Sequence, residues 1–140
     1  MRFQLHPRLQ ADTISIGRTR LSEILLMNDC TWPWVLLVPR REGVREIYEL
    51  EDAEQIQLLR ESSVLGQGMM SLFGGDKLNV AALGNMVPQL HLHHIVRVEG
   101  DPAWPGPVWG TQDPVPYDPV GLNHRLAELE PVVTRVMAAD

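Results

Sequence analysis

The stretch Gln89-Leu90-His91-Leu92-His93-His94-Ile95-Val96-Arg97-Val98 constrains this chain more than any other. It is rich in Leu, Ile and Val, holds no Gly or Pro, and follows the approach Gly84-Asn85-Met86-Val87-Pro88, so it reads as a β-strand over 89–98. Side chains alternate faces along a strand. Gln89, His91, His93, Ile95 and Arg97 therefore share one face, and Leu90, Leu92, His94, Val96 and Val98 the other. The apolar second face is the one expected to be buried, with His94 as a core or edge histidine within it. The first face carries a carboxamide and two imidazoles in a row, about 7 Å apart at roughly 3.3 Å of rise per residue. A single strand histidine is ordinarily a hydrogen-bonded, half-buried residue. A polar-apolar-His-apolar-His row points to chemistry.

The remaining elements follow from the same patterning. Phe3 to Leu9 reads as a short strand or turn at an edge with His6 on the surface, and Thr13-Ile14-Ser15-Ile16 as a short strand. Leu21–Asn28 and Trp32–Val38 form a hairpin around the turn residues Asn28-Asp29-Cys30-Thr31, ended by Pro39. The main helix starts near Leu50, with Asp52 as N-cap and Gln55 completing an acidic capping box. Its packed face runs through Ile56, Leu59, Ser63 and Gly66, with Leu58, Leu65 and Met69 beside them; it frays or bends at Gly66-Gln67-Gly68 and ends before Gly74. Lys77–Gly84 is a strand containing Asn79. Residues 100–119 form a Pro-dense loop with Trp104 and Trp109, ordered against a pocket or a partner subunit. Asp118-Pro119 starts a C-terminal helix that Pro131 kinks or restarts. The sum is an α+β domain: a mostly antiparallel five-stranded meander, one main helix packed on it, and a C-terminal helix.

Bulk properties remove several classes of function. A chain of 140 residues is expected to form a single domain, 1–140, with its core at about 21–98 and the loop and last helix at 100–140. Its apolar runs are far short of a membrane span, and its start lacks a signal segment, so a cytoplasmic protein without membrane association is expected. Cys30 is the only cysteine, which excludes an internal disulfide and disfavours a cysteine zinc site. A net charge of −6 argues against a general nucleic-acid surface.

A neutral imidazole is both nucleophile and base, and neighbouring amides such as Asn85 and Gln89 can hold a phosphoryl oxygen or fix a tautomer. The row suits attack on an electrophilic phosphorus. It equally suits a metal, shared by alternate strand histidines and ligands from elsewhere.

Gln89-Leu90-His91-Leu92-His93-His94-Ile95 resembles the histidine-triad signature, His-φ-His-φ-His-φ-φ with φ apolar, with Gln89 in the first position and His94 in place of an apolar residue. Leu78-Asn79-Val80 and Gly84-Asn85-Met86-Val87-Pro88 resemble that family's Asn-containing strand and its Gly-Gln-[Ser/Thr]-Val approach. Trp34-Val35-Leu36-Leu37-Val38-Pro39-Arg40 resembles its apolar strand ending in Pro-Lys/Arg, with Trp34 where a His is common. The resemblance runs from about Ile24 to Val98. It implies a homodimeric nucleotide hydrolase or transferase acting at an α-phosphate, with no cofactor and no metal. His91 would be the nucleophile that takes the nucleotidyl group, and His93 would help hold the phosphate. Gln89 would stand at the first triad position, among the catalytic residues, but cannot act as an acid. Asn85 and Asn79 would contact the phosphate or leaving group, and Asn28 or Asp29 the ribose hydroxyls, unless those two are plain turn residues. Met86 has lost a hydroxyl donor, and Trp34 fills core or stacks on a base. Within the family the chain is most similar to the bacterial diadenosine-tetraphosphate-hydrolase-like branch with Gln in the first triad position. The substrate would be a nucleotide or dinucleoside polyphosphate cleaved at a phosphoanhydride or phosphoramidate. The altered positions keep two other readings open: a non-catalytic nucleotide-binding or interaction protein, and a metal-dependent enzyme.

Overall fold

The computed structural model describes residues 2–140. Its centre is a five-stranded sheet of β1 (Thr13–Arg18), β2 (Ser22–Met27), β3 (Trp34–Pro39), β4 (Lys77–Ala81) and β5 (Leu92–Arg97). The order is β1-β2-β3-β5-β4, and every neighbouring pair is antiparallel. The α+β class stands as expected, but the sheet is not a simple meander, because β5 inserts between β3 and the edge strand β4. Among the described residues three α-helices accompany it, α1 (Pro7–Asp12), α2 (Asp52–Phe73) and α3 (Pro119–Met137), with a short 3-10 helix at Ile47–Glu49. Among the described residues no helix is long and apolar enough to cross a membrane.

Local chemistry explains where the elements depart from expectation. The histidine strand begins at Leu92, not Gln89, because the Leu90 amide is diverted to the Val44 carbonyl at 3.0 Å and Pro88 has no amide hydrogen. Residues 7–12 form a helix where a strand or turn was expected: Pro7 suits a first helical position, and half-buried His6 caps it through Nδ1, which accepts from the Arg8 amide at 3.0 Å. The capping box of α2 is Glu51 and Glu54, one residue earlier than Asp52 and Gln55. Its buried stripe is Leu58, Ser62, Leu65 and Met69, while Ile56 and Leu59 are 66% and 67% exposed and Ser63 is exposed too.

The two glycines expected to fray α2 instead let it pack closely. A Cβ at Gly66 would lie 2.5 Å from the Leu78 side chain, and one at Gly68 would lie 2.9 Å from Val132 of α3. Likewise α3 runs through Pro131 without restarting, held by Leu129, Val132, Val133 and Val136 on its buried stripe. Burial of that stripe offsets the roughly 3 kcal/mol that an interior proline costs.

Both faces of the central strands β2, β3 and β5 are buried, where one was expected. On the helical side Ile24, Leu26, Val35, Leu92 and Val96 pack against Leu58, Leu65, Met69 and Val136. On the opposite side Leu25, Trp34, Leu36 and Ile95 pack against Leu9 of α1, Trp32 and Val108. Val98, assigned to the buried face, is 40% exposed.

His94 belongs to the helical side. Its Nδ1 lies 3.3 Å from the Val35 carbonyl and its Nε2 2.7 Å from the Ser62 hydroxyl. A carbonyl only accepts, so Nδ1 carries the proton and Nε2 accepts from Ser62. Burial pushes the His94 pKa down to about 4 from an ordinary 6.5. The unfolded chain therefore takes up this proton first as pH falls. Stability is full above pH 6.5 and declines through the window down to about 4. Since His93 titrates over the same window, it is the difference between proteins that isolates His94: urea melts should lose about 3 kcal/mol more across that window in the wild type than in His94→Gln. Equal slopes in the two proteins would remove His94 as the cause.

Candidate active site

His91 sits one residue before β5 and His93 within it, and their rings meet edge-on, at 69°, with centroids 4.9 Å apart. The two are 7% and 4% exposed, so both residues are almost wholly out of water. The His91 Nδ1 lies 2.7 Å from the Gln89 backbone carbonyl. Since that oxygen accepts, Nδ1 holds the proton and Nε2 keeps a free lone pair. This is the form of imidazole that attacks phosphorus.

His93 is gripped differently. The Trp34 indole Nε1–H donates to its Nδ1 at 2.9 Å. Trp109, from the Pro-dense loop, stands edge-on to His93 at 5.1 Å between centroids and to Trp34 at 5.9 Å. Trp32 closes the set 6.3 Å from Trp34. Burial, then the nearby His91 and His94, lowers the His93 pKa to about 3, so its ring is neutral at working pH. Trp34 is buried, as core filler would be, but its bond to His93 was not visible in the sequence.

These tryptophans line a cavity of about 510 Å³ together with Asn28, Asp29, Arg8 and Gln112. Asn28 and Asp29 thus come to the same site as Trp34, with Asp29 the more buried. Both also fasten the loop. Asn28 Oδ1 accepts from the Tyr117 amide at 3.0 Å, and Asp29 Oδ1 accepts from the Val115 amide at 3.4 Å as well as from Thr31 of its own turn. A larger cavity of about 780 Å³ lies on the other side of α1, bounded by Gln4, His6, Glu23 and Gln89. The smaller one adjoins the histidines through Trp34 and Trp109 and is the better candidate for a substrate.

The other expected residues have different company. The Gln89 carboxamide is used at both ends: Oε1 accepts from the His6 amide and Nε2 donates to the Gln4 carbonyl, each at 2.9 Å. It clasps the N-terminal segment beside His91. Asn79 shares the His93 face, but its Oδ1 accepts from Arg97 Nη1 at 2.9 Å. Asn85 is exposed on the loop before β5 and lines neither cavity.

Arg97, 2% exposed, completes that face with a paired grip on Asp101: Nε to Oδ2 at 2.7 Å and Nη2 to Oδ1 at 2.9 Å. Asp101 Oδ1 further accepts from the amides of Ala103 and Trp104 at 3.0 and 2.8 Å. The Arg97 guanidinium holds the Asp101 carboxyl well below the usual carboxylate range. This pair was missed by sequence reasoning. Alternation placed Arg97 beside His93, but nothing marked Asp101, in a Gly-Asp-Pro turn, as its partner. Among the described residues, no group of three or more His, Cys, Asp or Glu is disposed to hold a metal ion.

A profile of the HIT domain matches residues 8–100. Among solved structures, a histidine triad protein from Marinobacter aquaeolei VT8 is 64% identical, with 97% of this chain and 99% of that one covered and a TM-score of 0.96. A histidine triad protein from Bradyrhizobium japonicum is 44% identical over 95% of this chain and 99% of that one, with a TM-score of 0.92. A hypothetical histidine triad nucleotide-binding protein from Sulfolobus tokodaii strain7 is 13% identical over 89% and 85% of the two chains at a TM-score of 0.65, a likeness of fold alone. No curated protein matches the chain.

Proposed function

Because the chain belongs to the HIT domain family, we propose that it is a nucleotide hydrolase whose nucleophile is His91. The observation that carries this reading is the His91 tautomer: Nδ1–H is spent on the Gln89 carbonyl at 2.7 Å, leaving the Nε2 lone pair free. That lone pair attacks the α-phosphorus and forms an N–P bond. The bond from phosphorus to the leaving group breaks, and the leaving group departs with its electron pair. Water then attacks phosphorus, the N–P bond breaks, and a nucleoside monophosphate is released with His91 restored.

The roles of the remaining residues follow from their places. His93 holds the phosphoryl group. The cavity of about 510 Å³ takes the nucleoside, with Trp34 and Trp109 flanking the base and Asp29 and Asn28 near the ribose. Asn79 and Asn85 serve the phosphate side, Asn85 only if the loop carrying it turns inward on binding. Dinucleoside polyphosphates of the diadenosine-tetraphosphate type are the best substrates in this reading, because their leaving groups are stable anions. A homodimer is part of the same proposal, and a monomer mass in sedimentation velocity would remove it.

The test is a metal-free incubation of the wild-type protein with dinucleoside polyphosphates and with adenosine phosphoramidate. Intact mass should rise transiently by one adenylyl group, mapped to the peptide containing His91, with AMP as product. The commitment of Gln89 to Gln4 and His6 favours a second reading, a nucleotide-binding protein without turnover. Bound nucleotide with neither adduct nor product would establish that second reading.

A further inference from the structure

The two histidines of the site are held by opposite kinds of partner. His91 Nδ1 meets a carbonyl, which can only accept. His93 Nδ1 meets the Trp34 indole N–H at 2.9 Å, and an indole nitrogen can only donate. His93 Nδ1 is therefore the bare nitrogen, and its proton sits on Nε2. The pair presents one free lone pair, on His91, and one free N–H, on His93.

The indole has little freedom to release that grip. Trp34 is 7% exposed and opens β3 opposite Ile95 of β5, the strand that carries His93. Trp32 and Trp109 lie edge-on to it at 76° and 86°. Neither proton transfer open to an imidazole is available to His93 in this setting. Taking up a proton requires Nδ1, which means displacing the indole N–H inside a buried cluster. Giving one up from Nε2 would leave an imidazolate, a far stronger base than anything else at the site.

We propose that Trp34 is a positioning residue that locks His93 in the Nε2–H tautomer, so that His93 meets the phosphoryl group as a fixed hydrogen-bond donor and moves no protons. The titratable neighbours, His91 on the same face and His94 on the opposite one, lower its basicity further and reinforce the lock. One consequence concerns the leaving group, and it rests on the hydrolase reading above. His93 supplies no proton to it, so groups that depart as stable anions, such as a phosphate chain, are favoured over groups that depart as an amine.

The experiment is a long-range ¹H–¹⁵N correlation spectrum of the ¹⁵N-labelled protein between pH 5 and 9, which separates the two imidazole tautomers. The expected wild-type result is a single Nε2–H form of His93 throughout, beside an Nδ1–H form of His91 while that ring is neutral. Trp34→Phe keeps the ring but removes the donor, and its His93 should show both tautomers in exchange. An averaged or Nδ1–H His93 in the wild type would overturn the proposal, as would an unchanged Nε2–H signal in folded Trp34→Phe. The wild-type spectrum alone decides if the phenylalanine variant does not fold.

Trp34→His supplies a ring that can both give and take a proton. It should raise phosphoramidate turnover relative to dinucleoside polyphosphate turnover by about tenfold or more, and an unchanged ratio would count against the lock. The spectrum needs no turnover. Expected tautomers in an inactive protein would overturn the hydrolase reading and leave the lock standing, whereas turnover with an averaged His93 would do the reverse.

Discussion

His91→Ala is expected to lower turnover of a dinucleoside polyphosphate by about a thousandfold or more, the scale of losing a nucleophile outright. In barrier height this is about 4 kcal/mol. No other described group replaces it in the proposed mechanism. The nearest imidazole, His93, has its Nδ1 lone pair engaged by Trp34, and His94 lies on the opposite sheet face against Ser62. Substrate binding should change little, because the cavity proposed for the nucleoside is bounded by Trp34, Trp109, Asn28 and Asp29 and not by His91. The signature is therefore a collapse of kcat with nucleotide affinity kept within a fewfold, and with the adenylyl adduct gone. Wild-type turnover in a clean His91→Ala preparation would end the nucleophile assignment.

The second large effect is on stability. Asp101→Ala removes the only carboxylate bonded to the buried Arg97 guanidinium among the described residues, and it also frees the amides of Ala103 and Trp104. A buried charge stripped of its partner costs about 3–5 kcal/mol. For a domain of this size the midpoint of thermal unfolding should fall by about 10 °C or more. The net worth of the pair is a separate matter, since desolvating two ions offsets much of their attraction. The double variant Arg97→Met with Asp101→Leu should accordingly recover a good part of the loss. A shift of less than about 1 kcal/mol in Asp101→Ala would mean that water or Asn79 already satisfies Arg97. The same variant bears on the site, because this pair anchors the start of the loop that brings Trp109 over His93.

Alternation along 89–98 was enough to group His91, His93, Ile95 and Arg97, and the structure keeps them together even though the strand itself is shorter. Apolar patterning was likewise enough for the strands, for α2 and for α3. What escaped was decided by partners distant in sequence. The bond from Trp34 to His93 spans 59 positions, and those from Gln89 to Gln4 and His6 span 85 and 83. No local period encodes them. The packed face of α2 was misplaced because Ile56 and Leu59 are apolar yet exposed, so composition pointed one way and the tertiary contacts another. The two glycines of that helix, Gly66 and Gly68, read locally as weak points, but their role is close approach.

The tryptophan cluster has a spectroscopic consequence. The chain holds four tryptophans. Trp32, Trp34 and Trp109 line the cavity of about 510 Å³, and Trp104 lies 5.8 Å from the Arg97 guanidinium. Every indole chromophore of the protein is thus inside the site or in the brace that supports its loop. Tryptophan emission carries no background from a remote core, and on the proposed function a base entering between the rings would write directly onto the signal. The molecule is its own optical probe.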